Sequence, residues 1–211
     1  NLFTFTTQSS FGNLGPTLTN IQNLYINLEP WTQNTSNLNI TTRGILLWTV
    51  PETNTYLVIA AGGACYSAIT STNGKGVVVS TRVAFAKGDV VKIVVGQQGR
   101  FSNPLSRTNI GGGGGSFVVK NDDTPILIAG GGGGCFLFSG SSGQGDNASY
   151  TTSGTSGDAL VGGTGGTGGN GGTTSDNRTD TPGAGFRTNS GNVTTAVTGG
   201  YAFLNGCRGG S

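Results

Sequence analysis

The sequence predicts a mainly β fold, a sandwich or jelly roll with polyglycine-II helices packed against it. Short apolar runs of strand length recur between turn residues. No apolar period of 3.6 residues is sustained, and helix formers are scarce. Glycine supplies 41 of the 211 residues, well over twice the roughly 7% of an average chain. Residues 1–134 read as the sandwich with glycine-rich strand connections. Residues 135–211 read as a glycine-rich polyglycine-II region packed on it, the two forming one structural unit.

The elements follow in order. Leu2–Thr7 alternates, with Phe3 and Phe5 on one face and Thr4 and Thr6 on the other, so it reads as a first strand. Ser9–Pro16 is turn-rich. Leu24–Leu28 and Gly44–Val50 are further strand candidates, the second ending at Pro51. Thr55–Ala61 is an apolar run of the kind buried on both faces. Gly76–Phe85 and Val90–Val95 flank Ala86-Lys87-Gly88-Asp89 and read as a hairpin. Ser116–Lys120 and Pro125–Ala129 flank Asn121-Asp122-Asp123-Thr124 in the same way.

The glycines then cluster where strands end. Gly111–Gly115 precedes one predicted strand and Gly130–Gly134 follows another. A strict Gly-Gly-x triplet runs from 162 to 173, built on Gly162, Gly163, Gly165, Gly166, Gly168, Gly169, Gly171 and Gly172. A period of three matches a polyproline-II-type helix, which has no internal hydrogen bonds. Its N–H and C=O groups must therefore find partners outside it. Glycine on two faces of three lets neighbouring main chains approach until they bond to one another. Thr164, Thr167, Asn170 and Thr173 would then line one outer face. The competing reading is a flexible Gly/Ser linker.

Composition narrows the chemistry. Charged residues are 11 basic and 9 acidic, for a net charge of +2, which gives no nucleic-acid footprint. Histidine is absent, which removes Ser-His-Asp and Cys-His nucleophile systems and His-ligated zinc. Gly74-Lys75-Gly76 lacks the spacing of a phosphate loop. Asp122, Asp123 and Asp146 match no calcium-loop pattern. The expectation is a non-enzyme with no cofactor and no metal. No apolar run approaches the roughly 20 residues of a membrane span. A chain opening on Asn1 reads as a processed or excised one.

Five N-x-Ser/Thr acceptor sequences occur, at Asn34, Asn39, Asn147, Asn177 and Asn192. Chance in an Asn/Ser/Thr-rich chain would make several. Low charge and abundant Thr favour an exported glycoprotein. Three cysteines, Cys65, Cys135 and Cys207, allow one bridge and one spare thiol. Both Cys135 and Cys207 follow glycine-rich segments, and that pair is the expected disulfide. Trp31 and Trp48 read as core residues rather than sugar-stacking ones.

Gly44-Ile45-Leu46-Leu47-Trp48-Thr49-Val50-Pro51, followed by Thr55-Tyr56-Leu57-Val58-Ile59-Ala60-Ala61-Gly62-Gly63, resembles the glycine-rich extracellular domain of anaplastic lymphoma kinase and leukocyte tyrosine kinase. The likeness continues through Gly88-Asp89, Ile93–Gly99, Gly111–Val119 and Ile126–Gly134. Phe3-Thr4-Phe5 and Gly12–Thr17 suit the secreted microbial and algal relatives of that domain. The resemblance implies a tumour-necrosis-factor-like jelly roll carrying a bundle of polyglycine-II helices. In the receptors that unit is extracellular and contributes to binding protein ligands. This chain has no kinase or growth-factor-like module, so receptor function is not carried over.

Two functions are expected on these grounds. The first is a secreted structural glycoprotein that associates with itself, as a homo-oligomer or a filament, in a fibre, appendage or surface layer. Its apolar first strand would be lent to a neighbour. The second is an adhesin or receptor-type ectodomain binding a glycan or protein ligand, which would present exposed aromatics around Tyr25, Trp31 and Tyr66.

Overall fold

The computed structural model describes residues 2–7, 13–65, 74–99, 109–138, 141–143, 145–156, 164–173, 183–191 and 199–209. Among these the chain forms a helix, α1 (Leu18–Tyr25), and a 3-10 turn (Pro30–Gln33) before its strands. The strands are β1 (Leu38–Thr42), β2 (Ile45–Thr49), β3 (Asn54–Ala61), β4 (Val78–Phe85), β5 (Val90–Val94), β6 (Asn109–Ile110), β7 (Ser116–Lys120), β8 (Pro125–Ala129), β9 (Cys135–Phe138) and β10 (Ser141–Gly143). The predicted mainly β character holds.

A five-stranded antiparallel sheet in the order β1-β2-β5-β7-β8 is the centre of the molecule. Its inner face, with Leu38, Leu46, Trp48, Val91, Ile93, Val118 and Ala129, packs on the two-stranded sheet β3-β4, with Phe85 and Ala60 buried between them. Its outer face presents Ile45, Val94, Phe117 and Val119, and these bury Phe186 and Phe203 of the glycine-rich C-terminal part. The alternation of strand residues thus covers both faces, by two different layers. Full burial of one such side chain contributes about 1.5–3 kcal/mol.

The β7–β8 hairpin forms as predicted, from Ser116↔Ala129 to Val118↔Leu127, with an irregularity before Val119↔Pro125. Asp122 Oδ1 accepts from the Thr124 N–H at 3.0 Å. That bond, first among the causes, lowers the Asp122 carboxyl below its ordinary value. Asp123 reaches back to β5 through a 2.7 Å ion pair with Lys92.

Other expectations fail in instructive ways. β4 and β5 do not pair. β4 runs against β3 over eight residues, from Asn54↔Phe85 to Ala61↔Val78, while β5 lies between β2 and β7. The turn at Ala86–Asp89 is present, held by Asp89 Oδ2 accepting from the Ala86 N–H, but it carries the chain between sheets. Turn chemistry fixes a reversal of direction and says nothing about which strand lies alongside. Leu24–Leu28 is the end of α1 and a following turn. Thr17 caps that helix reciprocally with Asn20, and Ile21 and Tyr25, four apart, form its buried face.

Leu2–Thr7 alternates as read, with Phe3 and Phe5 half-buried and their neighbours exposed, yet it joins no ladder. Side-chain packing holds it instead. Phe3 lies 5.4 Å from Trp31 and 5.1 Å from Trp48, centroid to centroid, and Tyr25 OH donates to the Thr4 carbonyl at 3.2 Å. Thr55–Ala61 is buried on one face only: Tyr56, Val58 and Ala60 point inward, while Leu57 and Ile59 stand in solvent.

Candidate functional site

Two features stand apart from an ordinary sandwich: a mat of bare main chains at one end of the sheets, and an uncovered apolar face on β3-β4. The mat grows out of the strand ends. Residues 62–65 follow β3, 74–77 precede β4, 96–99 follow β5, 111–115 precede β7 and 130–134 follow β8. Three of these segments close a triangle. The Gly113 N–H donates to the Gly132 carbonyl at 2.9 Å, Gly132 to Gly63 at 2.9 Å, and Gly63 to Gly114 at 2.8 Å.

The network widens from there. Gly114 donates to Gln97 at 2.8 Å, Gly62 to Val77 at 3.0 Å, Val77 to Gly130 at 3.0 Å and Gly133 to Asp146 at 2.8 Å. Glycine is required by proximity. A Cβ added to Gly131 would strike the Gly113 carbonyl, one on Gly113 the Gly63 carbonyl, and one on Gly63 the Gln97 carbonyl. Each main chain lies where the next one's side chain would be. In place of apolar burial, the peptide groups satisfy one another.

One buried side chain joins the mat to the sandwich. Ser116, at the start of β7, donates to the Ala61 carbonyl at 2.6 Å and accepts from the Gly96 N–H at 2.8 Å. Sequence reasoning passed over it, because a serine beginning a strand after five glycines carries no signal of its own. Gln97 serves the mat through its main-chain carbonyl, which accepts from Gly114.

A second glycine-rich array lies in the C-terminal part. Gly162 and Gly163 are outside the described residues, but 164–173 shows that the triplet repeat is not one straight helix. It folds back on itself, with Thr164 and Thr173 exchanging main-chain bonds at 2.7 and 3.2 Å. Gly168 and Gly169 turn the chain with φ of 59° and 84°, values that glycine adopts freely. The predicted single outer face of Thr and Asn is therefore replaced by a hairpin in which the Thr164 and Thr173 hydroxyls meet at 2.6 Å. A three-residue period does not reveal where the chain reverses. Each leg bonds outward, Gly166 accepting from Gly154 at 2.8 Å and Gly172 donating to Gly183 at 3.0 Å.

Phe186 and Phe203, stacked at 5.2 Å, anchor this array to the sheet through Phe117, 5.5 Å from Phe203. Cys207 packs against the same cluster. Burial pushes its thiol up to about 12. It is a free cysteine, whereas Cys65 is disulfide-bonded. The expected Cys135–Cys207 bridge is thus not the one formed, since aromatic packing holds Cys207 where proximity to a glycine run in sequence had suggested a bridge.

On the opposite side, β3 and β4 pair only with each other among the named strands. Their outer face carries Leu57, Ile59 and Val78, which are 57%, 62% and 59% exposed. In the register Leu57 lies beside Arg82, Ile59 beside Ser80 and Ala61 beside Val78. Three large apolar side chains standing together in water on an open-edged sheet are uncommon on a solitary protein.

The other candidate residues fall as follows. Asn34 and Asn147 are exposed and Asn39 is half-buried in β1, while Asn177, Asn192 and Tyr66 lie outside the described residues. Trp48 is buried and Trp31 half-buried, with the Trp31 Nε1–H donating to Glu29 at 2.6 Å. Tyr25 is buried too, so Tyr25 and Trp31 do not form an exposed aromatic patch. Among the described residues no cluster of three or more His, Cys, Asp or Glu could hold a metal ion. No helix among them is long and apolar enough to cross a membrane. No protein-family model and no curated protein matches this chain.

Proposed function

We propose that this chain is a non-enzymatic, extracellular structural glycoprotein that assembles with copies of itself into a fibre, appendage or surface layer. The observation that carries the reading is the bare apolar face of β3-β4, whose outer edges pair with no other named strand. Pairing with a second copy would satisfy those edges and remove Leu57, Ile59 and Val78 from water. The glycine mat supports the same reading from another side. We take it to be polyglycine-II packing on a jelly roll, as the resemblance to the glycine-rich receptor domain implies. Such a unit is held by main-chain bonds in three directions and suits a load-bearing scaffold. A disulfide at Cys65 accords with an oxidising, exported setting.

Of the aromatics expected for the recognition reading, Tyr25 is buried, Trp31 is half-buried and Tyr66 lies outside the described residues. Sedimentation across a concentration series tests the assembly reading. The wild-type chain grows in mass as concentration rises, and a Leu57→Lys, Ile59→Lys double variant stays monomeric with an unchanged circular dichroism spectrum. A wild-type chain that remains strictly monomeric at high concentration would overturn the proposal.

A further inference from the structure

We infer that Asn34 and Asn147 are acceptors for an N-linked oligosaccharide and that Asn39 is not. The inference rests on the reading of an exported chain and sorts acceptor sequences that look alike in one dimension. The chemistry sets the requirement. The side-chain Nδ2 attacks the anomeric carbon of an oligosaccharide carried on a polyprenyl pyrophosphate. The Nδ2–C1 bond forms, the bond from C1 to the pyrophosphate oxygen breaks, and the pyrophosphate leaves with the electron pair. One amide proton passes to a base of the transferase. An acceptor therefore needs an exposed side chain whose Nδ2 has no hydrogen-bond partner, and a place outside a paired strand.

Asn34 meets this. It ends the 3-10 turn (Pro30–Gln33), and Gln33, Asn34, Thr35 and Ser36 are all exposed. Its Oδ1 accepts from the Ser36 N–H at 2.9 Å. This is an Asx turn that closes the asparagine onto the hydroxyl residue of its own acceptor sequence. Its main-chain carbonyl accepts from Asn37 at 2.9 Å, so the turn is already made. Nδ2 has no partner among the described residues.

Asn147 meets it at the rim of the glycine mat. It is exposed, its Oδ1 accepts from the Lys75 N–H at 2.9 Å, and the next residue, Ala148, donates to the Lys75 carbonyl at 2.8 Å. The oxygen is engaged, and the nitrogen has no partner among the described residues.

Asn39 fails on structure rather than on sequence. It sits inside β1 opposite Leu47, between the fully buried Leu38 and the core-packed Ile40. Its Oδ1 is folded onto the Ile40 N–H at 2.8 Å. Bending the chain there would break the β1–β2 ladder. That ladder is local, joined across Arg43-Gly44, and hairpins of this kind close in about 1–10 μs. Reaching Asn39 in the folded chain therefore means opening the β1–β2 pairing.

The test is the wild-type chain made in a eukaryotic secretory host and recovered from lumen or medium. Enzymatic deglycosylation in heavy-oxygen water converts each occupied asparagine to labelled aspartate, which site-resolved peptide mass spectrometry locates. The label is expected at Asn34 and Asn147 in most molecules and at Asn39 in few. Asn34→Gln and Asn147→Gln each remove one glycan's worth of gel shift. An unlabelled Asn34 or Asn147, or an Asn39 labelled in most molecules, overturns the inference. Sedimentation of the same material tests assembly separately, so a glycosylated monomer would sink the assembly reading alone.

Discussion

The Ser116 hydroxyl donates to the Ala61 carbonyl at 2.6 Å across fifty-five residues of chain, and through this bond the end of β3 is pinned to the start of β7. The same oxygen accepts from Gly96. One small side chain therefore holds three segments at the seam between sandwich and mat.

Ser116→Ala would leave the Ala61 carbonyl and the Gly96 N–H without this partner. A loss of about 1–3 kcal/mol is expected, read as a lowered urea midpoint with an unchanged slope. A variant as stable as wild type would show that the seam is held elsewhere.

Glycine positions separate by what lies beside them. Gly113→Ala drives a methyl group into the Gly63 carbonyl and should cost about 1–3 kcal/mol, as overpacking does. A Cβ added at Gly183 meets nothing within 4 Å among the described residues, and alanine there should change stability by no more than about 0.5 kcal/mol. Thermal melts of the pair compare the two directly, and equal effects would count against close main-chain packing.

Phe203→Ala removes the ring that faces both Phe117 and Phe186. A loss of about 3–5 kcal/mol is expected. Amide exchange should speed up in 183–191 and 199–209 before it does in β2 and β5, because the array comes away from the sheet first.

Cys207 gives a pH prediction. Its folded thiol titrates near 12, above the ordinary 9.0. Stability is therefore full below the unfolded value and falls as pH rises through the range between the two, because the unfolded chain loses a proton that the folded chain keeps. Cys207→Ser should abolish that alkaline loss. Alkylation of the native chain at pH 8 should be slow, and the unfolded, unreduced chain should titrate one thiol.

Much of the fold was legible because it is written in local patterns. The β7–β8 hairpin showed in two apolar runs around Asn121–Thr124, and the inward pairing of Phe3 and Phe5 showed in strict alternation. The partner of β4 was not legible, since β3 lies beyond an intervening glycine-rich stretch and pairing is decided by how the layers close. Helix α1 was missed because eight residues give too little period to see; Thr17 and the Ile21–Tyr25 spacing were its only marks. At the candidate site, the five-glycine runs announced close approach but not their neighbours. The bare face of β3 was hidden for a simpler reason: Leu57 and Ile59 look like core residues until the layer that would cover them fails to arrive.

The triangle of Gly63, Gly113 and Gly132 has a thermodynamic consequence. Exposing apolar surface raises heat capacity on unfolding, while exposing peptide groups lowers it. A region whose interior is mostly amide contributes little to that increment, or offsets it. The curve of free energy against temperature should be shallower than the roughly 12–15 cal/mol/K per residue of ordinary domains would give. A shallow curve keeps the folded form favoured over a wide thermal span.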